Sequence, residues 1–209
     1  MRLAKIEPLS ESSFALTFAD GTALRCGLNE LADFSLRSGM EFDEEGYAAL
    51  LDACTFYAVR RKAASLLSAK AMSAGELRRR LTEKGASPEH AEKAVDRLLE
   101  LGAIDEEAYA AMVVRHYGLK GYGRKRVESE LYRHMVPREY WEDALASLPD
   151  TDDTLDKLIR AKLRGGTPDR DEIRRLRDSL CRKGFGWEEV RAALARNLTE
   201  LQDEDERSI

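Results

Sequence analysis

The chain has little of what catalytic and metal-bearing proteins usually require. Its 209 residues include 3 cysteines, 3 histidines, 5 prolines and 2 tryptophans, and aromatic residues make up only 7%. Cys26, Cys54 and Cys181 are odd in number and far apart. Neither a disulfide framework nor a CxxC zinc site is therefore available, and buried thiols are expected. His90, His116 and His134 are scattered, with no HExxH pattern, which argues against a metal centre and puts each on a polar face or in a turn. GxSxG, GxxxxGK[ST] and GxGxxG are all missing. The acid pairs Glu44-Glu45 and Asp152-Asp153 fall at helix starts, where the helix dipole favours carboxylates, so they read as capping groups rather than acid/base catalysts. No enzyme activity, cofactor or small-molecule substrate is expected. A signal-peptide core and an apolar span of about 20 residues are missing too, so a soluble, cytoplasmic protein without membrane association is expected.

Charge, in contrast, is abundant and uneven. The 34 Lys+Arg and 39 Asp+Glu give a net −5. Residues 1 to 56 hold 4 bases and 10 acids, residues 57 to 102 hold 10 and 6, and residues 103 to 148 hold 7 and 8. Residues 149 to 198 hold 12 bases and 10 acids, and residues 199 to 209 hold 1 and 5. Acidity is thus concentrated at the two ends of a mildly basic body.

The first forty residues read as β. Residues 13 to 18 alternate with period two, Asp20-Gly21 is a hairpin turn signal, residues 22 to 26 supply a return strand, and residues 3 to 7 a third. Such a sheet is too small to stand alone and should pack on the helical part of the chain. From Asp43 the period changes to 3.6. Ser73 and Glu76 form a capping box, Lys84-Gly85 ends that helix, and Ser87-Pro88 starts the next. Similar punctuation at Asp105, Gly118, Pro137, Pro149, Gly165-Gly166, Pro168, Gly184 and Gly186 divides residues 55 to 200 into about nine helices.

These helices repeat. A shift of 50 residues superimposes Leu81 on Leu131, Ala94 on Ala144 and Leu98 on Leu148. A shift of 99 superimposes Leu77 on Leu176, Leu81 on Leu180 and Lys84-Gly85 on Lys183-Gly184. The expected fold is mainly α: three tandem three-helix repeats in an elongated, curved array, preceded by a small antiparallel β sheet. The expected segments are a β-rich extension (1–42), a connecting helix (43–56), repeats at 57–102, 103–148 and 149–198, and an acidic tail (199–209). The tail reads as a solubilising end, or as a competitor that covers basic surface.

The most distinctive stretch runs from Arg115 to Arg126 and contains Arg115, Lys120, Arg124, Lys125 and Arg126 with no acid. Tyr117 and Tyr122 lie among these bases on a glycine-rich turn entering a helix. The charges could reach phosphates or an acidic protein surface while rings stack or plug a pocket, with backbone amides at the helix start adding to the site. A solvated turn is the plain alternative. Arg78, Arg79 and Arg80 lie on the equivalent helix of the first repeat, and Arg174, Arg175 and Arg177 on that of the third. Each cluster alone suits a polar helix face, but their recurrence suggests a basic strip along the array for a polyanionic partner.

Three motifs carry a resemblance: Ser73-x-x-Glu76-Leu77 with Leu81-x-x-Lys84-Gly85; Leu101-Gly102-Ala103-Ile104-Asp105 followed by Tyr109-Ala110; and Lys120-Gly121-x-Gly123-x-x-Arg126-Val127-x-x-Glu130-Leu131. In that order, over residues 55 to 198, they resemble the bacterial RecX regulatory family. His134-Met135 departs from the pattern, standing where a Lys-Gly pair is usual. The resemblance implies a non-enzymatic modulator of the RecA recombinase in homologous recombination and the DNA-damage response. It usually inhibits, lies in the groove of the RecA filament on single-stranded DNA, and acts as a monomer with only weak or RecA-mediated contact to the DNA. It also implies Tyr109 as a core or groove anchor and Lys120, Arg124, Lys125 and Arg126 as the binding edge. Two other readings stay open: a direct DNA-binding protein acting without RecA, and a helical scaffold for another partner.

Overall fold

Asp20-Gly21 reverses the chain because Gly21 takes φ 90°, a left-handed conformation suited to glycine, while the Asp20 carboxylate accepts the Thr22 amide at 3.0 Å. In the computed structural model, which describes residues 1 to 163 and 168 to 207 with side chains as far as Thr199, this turn joins β2 (Ser13–Phe18) to β3 (Ala23–Gly27). β1 (Leu3–Ser10) pairs with the other edge of β2, giving an antiparallel sheet of order β1-β2-β3. Leu3, Leu16, Phe18 and Cys26 are at most 2% exposed. They close on Leu36, Phe42, Leu50 and Cys54, so the core of this small sheet is completed by residues C-terminal to it.

A short helix, α1 (Leu28–Asp33), stands where the pattern suggests only β structure. Its Glu30 carboxylate accepts the Gly27 amide at 3.0 Å and pairs with Arg60 of α2 (Glu44–Ala69). Gly27 is required by close approach, since a Cβ there would lie 2.6 Å from the Tyr57 ring. α2 begins at Asp43, whose side chain accepts the Gly46 amide at 2.8 Å, and it crosses residue 56 without a break. It packs against β3 and also against α3 (Ala74–Glu83) and α4 (Pro88–Glu100). The serine caps are as expected: Ser73 Oγ accepts the Glu76 amide at 3.0 Å, and Ser87 Oγ accepts the His90 amide at 3.2 Å. His90 is not on a polar face. It is 6% exposed, its Nε2 lies 3.1 Å from Asp52, and its ring packs on Phe56, because the start of α4 is pressed against α2. These elements make one compact unit, Met1–Ile104.

The second unit, Asp105–Ile209, contains α5 (Glu106–Leu119), α6 (Arg124–Arg133) and a single 3₁₀ turn (Arg138–Tyr140) leading into α7 (Trp141–Leu145). After these come α8 (Thr151–Lys162), α9 (Arg170–Arg182) and α10 (Trp187–Arg207). The break expected at Gly165-Gly166 and the side chains of the acidic tail lie outside the described residues. Val113, Val114, Val127, Leu131 and Leu145 are buried in one layer, and Leu155, Ile159, Leu180, Phe185 and Val190 form another. Three turns show the repeat directly. Leu81, Leu131 and Leu180, all at most 2% exposed, accept the amides of Ala86, Val136 and Phe185 at 3.1, 3.1 and 3.4 Å. Between donor and acceptor stand Gly85 (φ 92°), Met135 (φ 54°) and Gly184 (φ 95°). The His134-Met135 departure therefore keeps the left-handed turn, with a methionine in the conformation glycine takes in the other two repeats.

Cys26 and Cys54 share the sheet core, while Cys181 is half-buried. Burial pushes the Cys54 thiol up to about 12, with Cys26 and Glu30 adding to the effect. Burial, then Glu30, pushes Cys26 up to about 11. The thiolate is thus favoured in the unfolded chain. The stability these two groups contribute is complete below their ordinary value of 9.0 and is lost as pH rises toward 11 to 12. In a dithionitrobenzoate titration of native protein at pH 8, Cys181 should react first and the other two only as the chain unfolds. Fast labelling of all three would contradict this packing.

Candidate binding edge of the second and third repeats

The turn Gly118 to Gly123 leads into α6 and meets the turn that ends α9. Gly123 donates its amide to the Lys183 carbonyl at 2.9 Å, and the Lys125 amide donates to the Gly184 carbonyl at 3.2 Å. The approach is backbone to backbone. A Cβ on Gly123 would lie 2.7 Å from the Gly184 carbonyl carbon, and a Cβ on Gly184 would lie 2.4 Å from the Arg126 nitrogen. The expectation that amides at the start of α6 serve an anion is corrected here: those of Gly123 and Lys125 are held by the third repeat.

Side chains collect around this junction. The Tyr122 ring has Lys183 Nζ 5.0 Å and the Arg126 guanidinium 5.8 Å from its centre, and it lies 5.8 Å from the Tyr117 ring. Lys120 Nζ sits 5.5 Å over Tyr117 and 2.8 Å from His116 Nε2, while Lys183 Nζ donates to the Lys120 carbonyl at 3.5 Å. Each cation over a ring face is held by the ring quadrupole. Burial, and then a hydrogen bond to Glu130, raise the Tyr117 phenol above its ordinary value, so it stays a neutral ring.

The expected bases divide into paired and unpaired groups. Arg124 is held by Glu128 at 2.9 Å and Glu142 at 2.6 Å, and Arg126 by Glu130 at 2.7 Å. Among the described residues Arg115, Lys120, Lys125 and Lys183 form no ion pair. In the first repeat every expected base is neutralised: Arg78 by Glu92 (2.7 Å) and Asp96 (3.3 Å), Arg79 by Glu83 (2.6 Å), and Arg80 by Glu76 (2.5 Å). In the third, Arg177 pairs with Asp178 at 3.1 Å and lies 4.7 Å over Trp187, Arg175 donates to the Asp171 carbonyl at 3.2 Å, and Arg174 is exposed. Tyr109 is not on the exposed edge. It is 5% exposed with its hydroxyl 3.1 Å from His134 Nδ1, because α5 turns it inward against the end of α6.

Lys183 and Tyr117 belong to the edge, although the sequence marks Lys183-Gly184 only as a turn. Its recurrence with Lys84-Gly85 is the available signal. Among the described residues no three His, Cys, Asp or Glu side chains converge to hold a metal ion, and no helix is long and apolar enough to cross a membrane.

Comparison with known proteins supplies the relatives of this architecture. Residues 60–98 match the family model of the first RecX three-helix domain, and residues 105–145 match that of the second. Regulatory protein RecX of Xanthomonas axonopodis pv. citri (strain 306) is 35% identical over 135 residues, covering 64% of this chain and 83% of that protein. The RecX of Pseudomonas savastanoi pv. phaseolicola is 36% identical over 112 residues, covering 53% and 72%. A crystal structure of regulatory protein RecX shares the fold with TM-score 0.75 at 22% identity, over 93% of this chain and 98% of the other. That of RecX from Lactobacillus salivarius does so with TM-score 0.61 at 18% identity, over 68% and 96%. With repeats, turns and relatives in agreement, this chain belongs to the RecX family of regulatory proteins.

Proposed function

We propose that this chain binds the filament of RecA on single-stranded DNA, in its groove, and inhibits it. Binding there lowers ATP turnover and disfavours strand exchange, and the chain does this in the cytoplasm, as a monomer and without catalysis of its own. The observation that carries this reading is the junction of the two glycine turns. It holds Lys120 and Lys183 over the rings of Tyr117 and Tyr122, which are tilted 56° to each other, and fixes the backbone of Lys125, and none of the three lysines is in an ion pair among the described residues. Unpaired cations on a rigid backbone suit an acidic protein surface or exposed phosphate, whereas Arg124 and Arg126 already have carboxylates.

The single-stranded-DNA-dependent ATPase of RecA, titrated with this protein, tests it. Wild type should inhibit at less than one chain per RecA, and the double variant Lys120→Glu, Lys125→Glu should need on the order of tenfold more. Absence of inhibition at equimolar folded protein would sink the proposal. Tight, salt-steep binding to bare DNA that RecA does not alter would replace it with direct DNA binding.

A further inference from the structure

Residues 1 to 56 are strongly acidic, with 4 bases against 10 acids, yet the first unit concentrates positive charge at one place on its surface. Arg60, Arg61 and Lys62 are consecutive on α2, where successive side chains are turned about 100° apart and no single helix face holds all three. The packing of β3 beside α2 creates two adjoining clefts that collect them. One, of about 430 Å³, is lined by Arg60 and Arg61 together with Ser13 and Glu30; the other, of about 330 Å³, is lined by Arg61, Lys62 and Arg25. They share Tyr57 and Arg61, so they form one trough along α2. The α2 residues that line it run from Tyr57 to Ser65, roughly 12 Å of helix.

Four bases and a single acid, Glu30, line this trough. Glu30 matches Arg60 only, and among the described residues Arg25, Arg61 and Lys62, all exposed, form no ion pair. A hydroxyl in the wall also has no partner among the described residues: Ser13 is 4% exposed and its Oγ makes no hydrogen bond, as is also true of Arg60 Nε. Leu28, 51% exposed, is the one large aliphatic side chain among the lining residues. Tyr57 is 8% exposed, with its hydroxyl given to the Ser12 carbonyl at 3.3 Å and its ring beneath the Arg60 and Arg61 guanidinium groups at 5.9 and 5.8 Å. An acidic protein segment draws on several aromatic or aliphatic anchors, whereas a phosphate backbone is held by cations and donors.

We propose that this trough is a nucleic-acid site that takes the phosphodiester backbone of a single strand without regard to base sequence. It lies wholly within the first unit and stands whether or not the chain acts on RecA. Arg25, Arg61 and Lys62 would each neutralise a phosphate, with Arg60 held in place by Glu30.

Fluorescence anisotropy of a labelled oligo-dT with the full chain, in the absence of RecA and over a salt series, tests this. The variant Arg25→Glu, Arg61→Glu, Lys62→Glu should bind at least about tenfold more weakly at low salt, with the salt slope reduced by about 2, since each single-strand phosphate contact contributes about 0.7. Arg60 is left alone, because its removal would strand the buried Glu30 carboxylate. The neutral variant Arg25→Gln, Arg61→Gln, Lys62→Gln removes the same contacts without repulsion and should show the same loss of slope if the charge reversals disturb folding. Unchanged affinity and slope in the neutral variant would overturn the proposal. So would displacement of the oligonucleotide by polyglutamate at lower charge concentration than by unlabelled oligo-dT, an outcome that would assign the trough to an acidic protein partner.

Discussion

Gly184→Ala should lower unfolding stability by about 3 to 5 kcal/mol, whereas Gly85→Ala, at the equivalent turn of the first repeat, should cost only about 1 to 2. Both glycines hold a left-handed conformation, φ 95° and φ 92°, so the backbone strain of a Cβ is common to the two. The surroundings differ. A Cβ on Gly85 meets nothing within 4 Å, but one on Gly184 would lie 2.4 Å from the Arg126 nitrogen and 2.5 Å from its Cβ. Relief requires the turn of the third repeat to move off the start of α6, which breaks the hydrogen bonds from Gly123 to Lys183 and from Lys125 to Gly184. Those contacts also place Lys183 beside Tyr122, so binding through the proposed edge should fall together with stability. Urea unfolding of the two variants checks the difference. Equal losses would mean that the close approach of the turns contributes nothing.

Glu130→Ala should cost about 2 to 3 kcal/mol, a large effect for a residue whose neighbours Ser129 and Glu128 lie on the outer part of α6. Its carboxylate is 1% exposed and forms ion pairs with Arg126 at 2.7 Å and with Arg133 at 3.2 Å. Breaking a fully buried ion pair costs about 3 to 5 kcal/mol, but Arg126 and Arg133 are 40% and 68% exposed and can rehydrate, which lowers the cost. Alanine also leaves a void under the two arginines and removes the partner of Tyr117. The same substitution frees the positive charge of Arg126, so affinity for polyanions should rise while the melting temperature falls. A melting temperature within a degree of wild type would show that the carboxylate is not an anchor.

The shift of 50 residues places Glu76 on Arg126 and Arg80 on Glu130, so the ion pair of the first repeat returns in the second with its sign reversed. In both, the carboxylate is the buried member, at 7% and 1%. Helix propensity does not account for this, because acid before base at i, i+4 is the better order along a helix and only the first repeat has it. A buried carboxylate under a half-exposed guanidinium does account for both, since the arginine stem covers apolar surface while its head reaches water. Arg80 and Arg126 are therefore structural cations, and a count of bases along the sequence overstates the charge available to a partner.

Sequence alone determined what depends on neighbours within a turn or two. The caps at Ser73, Ser87 and Asp105, the glycine turns at Gly85 and Gly184, and the spacing of Leu81, Leu131 and Leu180 arise from local hydrogen bonds and a 3.6-residue period. Three helical repeats and the family were legible for that reason. Only the tertiary structure decided which charges are free, because pairs such as Arg78 with Asp96 and Arg124 with Glu142 join helices 18 residues apart. It alone joined Gly123 to Gly184 and Glu30 to Arg60, and it alone gathered Arg25 with Arg61 and Lys62. Pairing, close approach and cleft formation depend on where distant backbones meet in space, and a repeat pattern carries no information on that distance.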